Sequence, residues 1–221
     1  MPDSRWDRWG PIAGIAFVVL LFVGLTLAVN NLPSGDDPVS KFTNFYNDSG
    51  KRAETIIGGY LMILSAVFFL WFLASLRVRL LEVEGAPGRL TSIVFGGGVA
   101  FVALTIAAAG TFMTVAADIS FGGEDFVAPE AARYLPELGY PFLLLGGAFA
   151  AIAMIDAASV LIWRTGVFAR WLAWLGFVAA IILLFGFLFL PMVALLLWVL
   201  CVSIAMLRAR PAQPPPATAV T

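Results

Sequence analysis

The chain has 221 residues, of which 61% are hydrophobic and 12% charged, and its formal net charge is −1. A soluble domain is typically about 45–50% apolar and about 25% charged, so this composition excludes a water-soluble globule, and it excludes a disordered chain for the same reason. The composition is that of an all-α, polytopic membrane protein.

Apolar runs of about 20 residues predict the membrane-spanning helices. The first four expected spans are residues 11–29, 55–76, 90–117 and 139–163, and an uncharged run from Trp171 to Leu207 follows them. As one helix this last run would be about 55 Å long, against a hydrocarbon core of about 30 Å, so we expect it to turn back near Pro191. Two short spans result, 171–187 and 191–207. One kinked and tilted helix, giving five spans, is the alternative.

Residues 1–29 admit a second interpretation, because Arg5 and Arg8 could form the basic region of a signal peptide. The apolar stretch is long for a signal peptide, and no clear A-x-A cleavage site follows it. We therefore expect a retained first helix and a single transmembrane domain over residues 1–207. Residues 208–221 are rich in proline and predict a disordered tail.

The distribution of charge gives the six-span arrangement a direction. The side that holds both termini would carry nine arginines and four acids, and the other side four cations and nine acids. Cytoplasmic loops carry an excess of Lys and Arg, so both termini are predicted to be cytoplasmic. Most of the tryptophans fall near that boundary, as in an aromatic belt. We expect a multi-pass protein of a bacterial plasma membrane.

Two external segments follow from this topology. In residues 30–54, Asp37-Pro38 is a helix-start signal, and apolar residues from Val39 to Tyr46 recur at helical spacing. This pattern predicts a short amphipathic helix, either a lid that contacts a ligand or a cover packed over the helix ends. Residues 118–137 are acidic, which is typical of an external loop; a cation site is the alternative.

Polar residues inside the predicted spans are the candidate site. Asp156 lies about 10 Å below the cytoplasmic boundary, where a carboxylate is costly and usually faces the bundle or a water-filled cavity. It could bind a proton or a cation, or it could be held by Arg77, Arg79, Arg89 or hydroxyl groups. Tyr60 and Ser159 complete the candidate intramembrane polar site. Ser65, Thr105, Thr111 and Thr114 could also line a polar seam. Equally, each of these hydroxyls could bond within its own helix or to a neighbouring helix.

Small residues at four-residue spacing predict close helix packing. Gly96, Gly97 and Gly98 lie in the third expected span, and Gly146 and Gly147 in the fourth. We expect these two spans to pack tightly at the bundle centre. A homodimer through the same face is the alternative.

The composition also limits the chemistry. The chain has no histidine and one cysteine, Cys201. This excludes histidine-ligated haem, the usual zinc and copper sites, Ser-His and Cys-His catalytic pairs and an internal disulfide. We expect no cofactor, no metal and no nucleic acid partner. An intramembrane enzyme is the weakest hypothesis, because the predicted spans also contain no pair of carboxylates.

Several short segments carry a resemblance to a known group. They are the stretch from Phe42 to Arg52, Trp71-Phe72-Leu73-Ala74-Ser75-Leu76-Arg77, Glu84-Gly85 and Phe95-Gly96-Gly97-Gly98. This half of the chain resembles uncharacterised six-helix integral membrane proteins common in actinobacteria, a domain of unknown function. The resemblance implies six spans and a bacterial source, and it implies no activity.

Two functions remain. The chain is expected to be an accessory or sensory membrane protein whose partners are the lipid bilayer and a second membrane protein or a second copy of itself, with the outer loops as its recognition surface. The alternative is a small cation- or proton-coupled channel or transporter that works through Asp156, although no convincing internal repeat supports it.

Overall fold

The computed structural model describes residues 6–122, 129–185 and 191–208. In these residues every regular secondary-structure element is a helix, and short loops or turns connect the helices. In chain order the helices are α1 (Trp6–Val29), α2 (Val39–Asn47), α3 (Ser49–Glu84), α4 (Arg89–Phe121), α5 (Pro129–Glu137), α6 (Ala148–Thr165), α7 (Arg170–Leu183) and α8 (Met192–Arg208). A π-helical segment, Pro141–Gly147, leads into α6.

Within the described residues, four helical stretches are long and apolar enough to cross a membrane: Trp9–Val29, Ser49–Glu84, Arg89–Phe121 and Ala132–Thr165. Helices α7 and α8 are apolar but shorter, with 14 and 17 residues. The expected all-α membrane architecture is therefore confirmed. The predicted tail beyond residue 208 lies outside the described residues, as does most of the predicted break before Pro191.

The long uncharged run near the C-terminus folds as a helical hairpin. A Cβ atom on Gly176 of α7 would lie 2.8 Å from Nε1 of Trp198 in α8. In one continuous helix these two residues would be about 33 Å apart. The chain therefore turns back between α7 and α8, and the two helices run antiparallel.

The six longest apolar helices form a closed ring in which neighbours run antiparallel. Each neighbouring pair is marked by a point of close approach at a glycine, where the neighbouring helix presents either its backbone or a side chain. In order round the ring these contacts are Ala28–Gly58, Leu73–Gly98, Gly97–Ala150, Ser159–Gly176, Gly176–Trp198 and Ser203–Gly14. The last contact joins α8 to α1, so the beginning of α1 and the end of α8 lie at the same end of the bundle.

Aromatic side chains fill the centre of the ring. The rings of Phe17 from α1 and Phe69 from α3 have centroids 4.5 Å apart, and Phe101 from α4 lies 5.4 Å from Phe69 and 6.2 Å from Phe17. All three side chains are at most 1% exposed. Tilted and edge-to-face arrangements at these distances are favourable for aromatic pairs. The middle of the bundle is therefore packed core.

Polar side chains fix the ends of the long helices. Asp48 caps α3, because its carboxylate accepts hydrogen bonds from the backbone N–H of Gly50 at 2.8 Å and of Lys51 at 3.3 Å. At the other end of α3, Glu84 accepts from the backbone N–H groups of Leu90 and Thr91, both at 2.8 Å. Those N–H groups belong to the first turn of α4, where no partner within the helix is available. Glu84 therefore closes the α3–α4 hairpin.

Gly96 and Gly97 offer a matched test of close packing. A Cβ on Gly97 would lie 2.8 Å from the carbonyl oxygen of Ala150, whereas a Cβ on Gly96 would have no neighbour within 4 Å. We expect Gly97→Ala to destabilise the protein by about 1–3 kcal/mol, since a backbone contact must open. Gly96→Ala should stabilise it by up to about 1 kcal/mol through helix propensity. Unfolding in detergent micelles measures both, and equal effects would contradict the packing described here.

Candidate functional site

Helices α2 and α5 cover one end of the bundle, which we call the capped end. The apolar face of α2 is buried there against the last turns of α4 and against α5. The cluster consists of Phe42, Phe45, Tyr46, Val115, Ala116 and Ala132, with Leu32, Ile56, Ile119 and Leu135 partly buried around it. The amphipathic helix expected from the sequence is thus packed over the helix ends.

Arg52 ties α2 to the long helices. Its Nη1 donates a hydrogen bond to the carbonyl oxygen of Tyr46, in the last turn of α2, and its Nε donates to Oγ of Ser120 at 3.2 Å. A cation at a helix C-terminus is favourable because the last carbonyl groups carry partial negative charge. Arg52 therefore joins three helices, α2, α3 and α4, at one point.

Arg133 performs the same task from α5. Its Nη2 donates a hydrogen bond to the carbonyl oxygen of Asp37 at 2.7 Å, and its guanidinium group lies 5.8 Å from the ring centroid of Phe42. A guanidinium over an aromatic face adds a favourable electrostatic contact. The loop before α2 and the first turns of α2 are thereby held against α5.

The Asp37 side chain organises the loop before α2. Its carboxylate accepts from Nζ of Lys41 at 2.8 Å and from the backbone N–H of Ser34 at 2.9 Å. These two hydrogen bonds hold the pKa of Asp37 below its usual value. Their contribution is present above that usual value and is lost as the pH falls through the lowered pKa. The Asp37 side chain is partly exposed to solvent, so this contribution is screened.

Tyr46 carries an unusual hydroxyl group. The residue is fully buried, and no hydrogen-bond partner for its hydroxyl is found in the part of the chain that the structure describes. Burial, and to a smaller extent the neighbouring Tyr140, raise the pKa of Tyr46. Tyr140 directly precedes the π-helical segment Pro141–Gly147 and packs on Phe112, with ring centroids 5.1 Å apart. Single π-turns occur frequently at functional sites, so this region merits a direct test.

The four hydroxyl groups of Ser65, Thr105, Thr111 and Thr114 do not line a shared polar seam. Each makes its hydrogen bond to a carbonyl oxygen of its own helix: Ser65 to Met62 at 2.6 Å, Thr105 to Phe101 at 2.9 Å, Thr111 to Ala108 at 2.8 Å and Thr114 to Gly110 at 2.6 Å. Tyr60 is 61% exposed on the outside of α3. It is therefore not brought together with Ser159, which is fully buried.

Ser159 instead lies close to Gly176 of α7, near the indole N–H of Trp198 in α8, and the sequence did not predict this grouping. A Cβ on Gly176 would overlap Oγ of Ser159 and lie 2.8 Å from Nε1 of Trp198. Among the described residues neither polar atom has a hydrogen-bond partner. One feature of the sequence could have identified this region. Trp198 lies in the middle of its span, away from the membrane boundary where tryptophans normally lie.

Asp156 is partly exposed, and the structure gives it no hydrogen bond and no ion pair within residues 6–122, 129–185 and 191–208. The arginines considered as its partners, Arg77, Arg79 and Arg89, do not reach it. Arg77 lies instead 5.2 Å from the ring centroid of Phe95. Among the described residues, Asp156 therefore has none of the contacts that the staple interpretation of the sequence required.

The glycines expected at the packing face have different surroundings. Gly97 meets α6 and Gly98 meets Leu73 of α3, while Gly96 faces open space. A Cβ on Gly146 would lie 3.2 Å from Leu104 of α4, and one on Gly147 would lie 3.3 Å from the carbonyl oxygen of Phe142. Helices α4 and α6 thus approach each other at Gly97, and α4 approaches the π-helical segment more loosely at Gly146.

The opposite end of the bundle, which we call the open end, carries exposed tryptophans. Trp9, Trp71, Trp163, Trp171 and Trp174 are each between 51% and 62% exposed. Tryptophan side chains at one level are typical of a membrane–water interface. Arginines flank them on the described helices, at Arg77, Arg79, Arg89, Arg164, Arg170 and Arg208.

Comparison with known proteins adds no relative. Neither a protein-family model nor a curated protein nor a solved structure matches the chain.

The unpartnered hydroxyl of Tyr46 can be tested by removing it. We expect Tyr46→Phe to stabilise the protein by about 1 kcal/mol, because a buried hydroxyl without a partner costs about 1–3 kcal/mol. Tyr134→Phe, at a tyrosine that is 59% exposed, is the control and should change stability by less than about 0.5 kcal/mol. Unfolding in detergent micelles measures both. A clear loss of stability in Tyr46→Phe would mean that the hydroxyl binds a group in the folded protein.

Proposed function

We propose that this chain is a six-span protein of a bacterial plasma membrane that acts as an accessory or sensory protein through contacts with other membrane components. The observation that carries the proposal is the filled centre of the ring, where Phe17, Phe69 and Phe101 meet. A solute pathway needs polar groups along a cavity, and here the buried hydroxyls of Ser65 and Thr105 bond within their own helices. The surfaces of the bundle are then left to carry the function.

The six-span proposal rests on the ring. Helices α7 and α8 are about 21 and 26 Å long, somewhat shorter than a hydrocarbon core of about 30 Å. Both pack against longer neighbours, α7 on α6 and α8 on α1. Local thinning of the bilayer and flanking residues accommodate such a mismatch at modest cost. The actinobacterial six-helix group that the first half of the chain resembles is proposed as its family.

The proposed orientation in the membrane rests on the different residues found at the two ends of the bundle. Arginines and exposed tryptophans gather at the open end, and we propose that this end, with both termini, faces the cytoplasm. The capped end then faces outward. Its cover of α2 and α5, fixed by Arg52 and Arg133, is proposed as the outer recognition surface.

The topology can be measured with single cysteines in a Cys201→Ser background. Asn44 and Leu184 are expected on the outside, Glu82 and Thr165 on the inside, and all four side chains are exposed. A membrane-impermeant maleimide applied to spheroplasts should label cysteines at the first two positions and label the other two only after permeabilisation. Labelling at Leu184 only after permeabilisation would contradict the six-span proposal, and labelling at Glu82 from outside would contradict the orientation.

A flux measurement distinguishes the channel or transporter alternative from the proposed accessory or sensory function. The purified chain in proteoliposomes should pass protons and K⁺ no faster than empty vesicles, because its centre is packed. A pH-sensitive dye inside the vesicles and a K⁺ gradient provide the readout, with an ionophore as the positive control. A solute-dependent flux that Asp156→Asn abolishes would overturn the proposal and establish the alternative.

A further inference from the structure

Asp156 lies on a stripe of α6 that faces away from the ring. The stripe consists of Phe149, Ala153, Asp156, Val160 and Trp163, all exposed or partly exposed, with Phe149 and Trp163 at 55% and 54%. The faces of α6 that pack within the molecule carry other residues, such as Met154 against α4 and Ser159 against α7. We call this set of five residues the outward stripe.

An unpartnered carboxylate on this surface is costly inside a bilayer. Asp156 lies about 10 Å from Trp163 along α6, below the level of the exposed tryptophans. A carboxylate within a span is unfavourable unless a partner or water compensates its charge. The described residues supply no partner. Because the stripe faces away from the bundle, we expect the compensation to come from water or from a group outside the described residues.

The spacing of the outward stripe suits a second helix. Its members follow one another at intervals of four, three, four and three residues, which is the spacing of a helix–helix interface. Ala153, directly beside Asp156 on the stripe, is small enough for a partner backbone to approach closely. A single polar residue within such an interface fixes which partner binds and in which register.

We propose that the outward stripe of α6 binds a transmembrane helix of another protein that presents a lysine or arginine at the depth of Asp156. Charge complementarity selects this occupant over a second copy of the chain. A second copy would place Asp156 against Asp156, and two like charges at close range oppose each other. The inference rests on the proposed function and names the kind of partner.

The test uses the full chain in lipid vesicles with designed helical peptides as probes. The probe is a fluorescent Leu/Ala peptide of about 20 residues, with one lysine as far from its end tryptophan as Asp156 is from Trp163. Control peptides carry leucine or glutamate at that position. Energy transfer to the labelled chain measures binding. The lysine peptide should bind about tenfold more tightly than the leucine peptide, which corresponds to about 1.4 kcal/mol, and the glutamate peptide should bind no better than leucine.

Two variants distinguish binding through the outward stripe from a general effect of mutation on the protein. Asp156→Asn should remove the preference for the lysine peptide. Ala153→Leu keeps the carboxylate and blocks close approach, so it tests the proposal even where Asp156→Asn fails to fold. Ala103→Leu, at an exposed alanine of α4, is its matched control and should bind the lysine peptide as the unmodified chain does.

Three outcomes would overturn the proposal. The lysine and leucine peptides could bind equally, Asp156→Asn or Ala153→Leu could leave the lysine preference intact, or two differently labelled copies of the chain could pair through the stripe and exclude the peptide. None of these depends on the flux measurement. A chain that conducts solute would overturn the proposed function, whatever its affinity for the peptides.

Discussion

Close approach of helix backbones is the constraint on which the rest of this structure depends. In a bilayer, apolar side chains gain little from leaving lipid, so helices associate through packing and hydrogen bonds. A Cβ on Gly24 would lie 2.9 Å from the carbonyl oxygen of Gly58, and one on Gly97 would lie 2.8 Å from that of Ala150. These contacts draw α3 towards α1 and α4 towards α6. In the other neighbouring pairs a side chain of one helix lies against a glycine of the next, as Leu73 lies against Gly98 and Ser203 against Gly14.

The close ring in turn determines what its centre can hold. With the backbones so near, the remaining space is filled by a few large side chains such as Phe17, Phe69 and Trp198. Ser65 and Thr105 can then bond only to carbonyl groups of their own helices. Polar atoms that reach the interior without such a bond, like Oγ of Ser159, sit beside a glycine where space remains. The same packing that stabilises the bundle therefore leaves little room for a conducting path.

The helical architecture could be predicted from the sequence because length and hydropathy report directly on membrane helices. The hairpin of α7 and α8 followed from a run too long for one span. The roles of single glycines could not be predicted, because Gly96, Gly97 and Gly98 are adjacent and point in three directions. Only the neighbouring helices show that Gly97 meets α6 and Gly98 meets α3.

The direction of Asp156 was also beyond the sequence, for a physical reason. In a soluble protein the polar face of a helix shows where solvent lies, whereas in a membrane protein the core and the lipid face are equally apolar. The pattern around Asp156 therefore left open whether it faced the bundle. The anchoring roles of Arg52 and Arg133 could not be predicted either. Each arginine binds a backbone carbonyl group, and every residue type has one, so the sequence does not indicate which residue is the partner.

The way these two arginines are bound has a consequence for the capped end as a whole. Arg52 and Arg133 donate to carbonyl and hydroxyl oxygens, and among the described residues they form no ion pair with a carboxylate. The ion pair that the structure gives in its described part joins Asp37 to Lys41. Asp36, Asp118 and Glu54 stay exposed or partly exposed on the same surface. The described part of the capped end is therefore acidic, and a partner that binds it should present basic groups, as should a partner that binds Asp156 within the membrane.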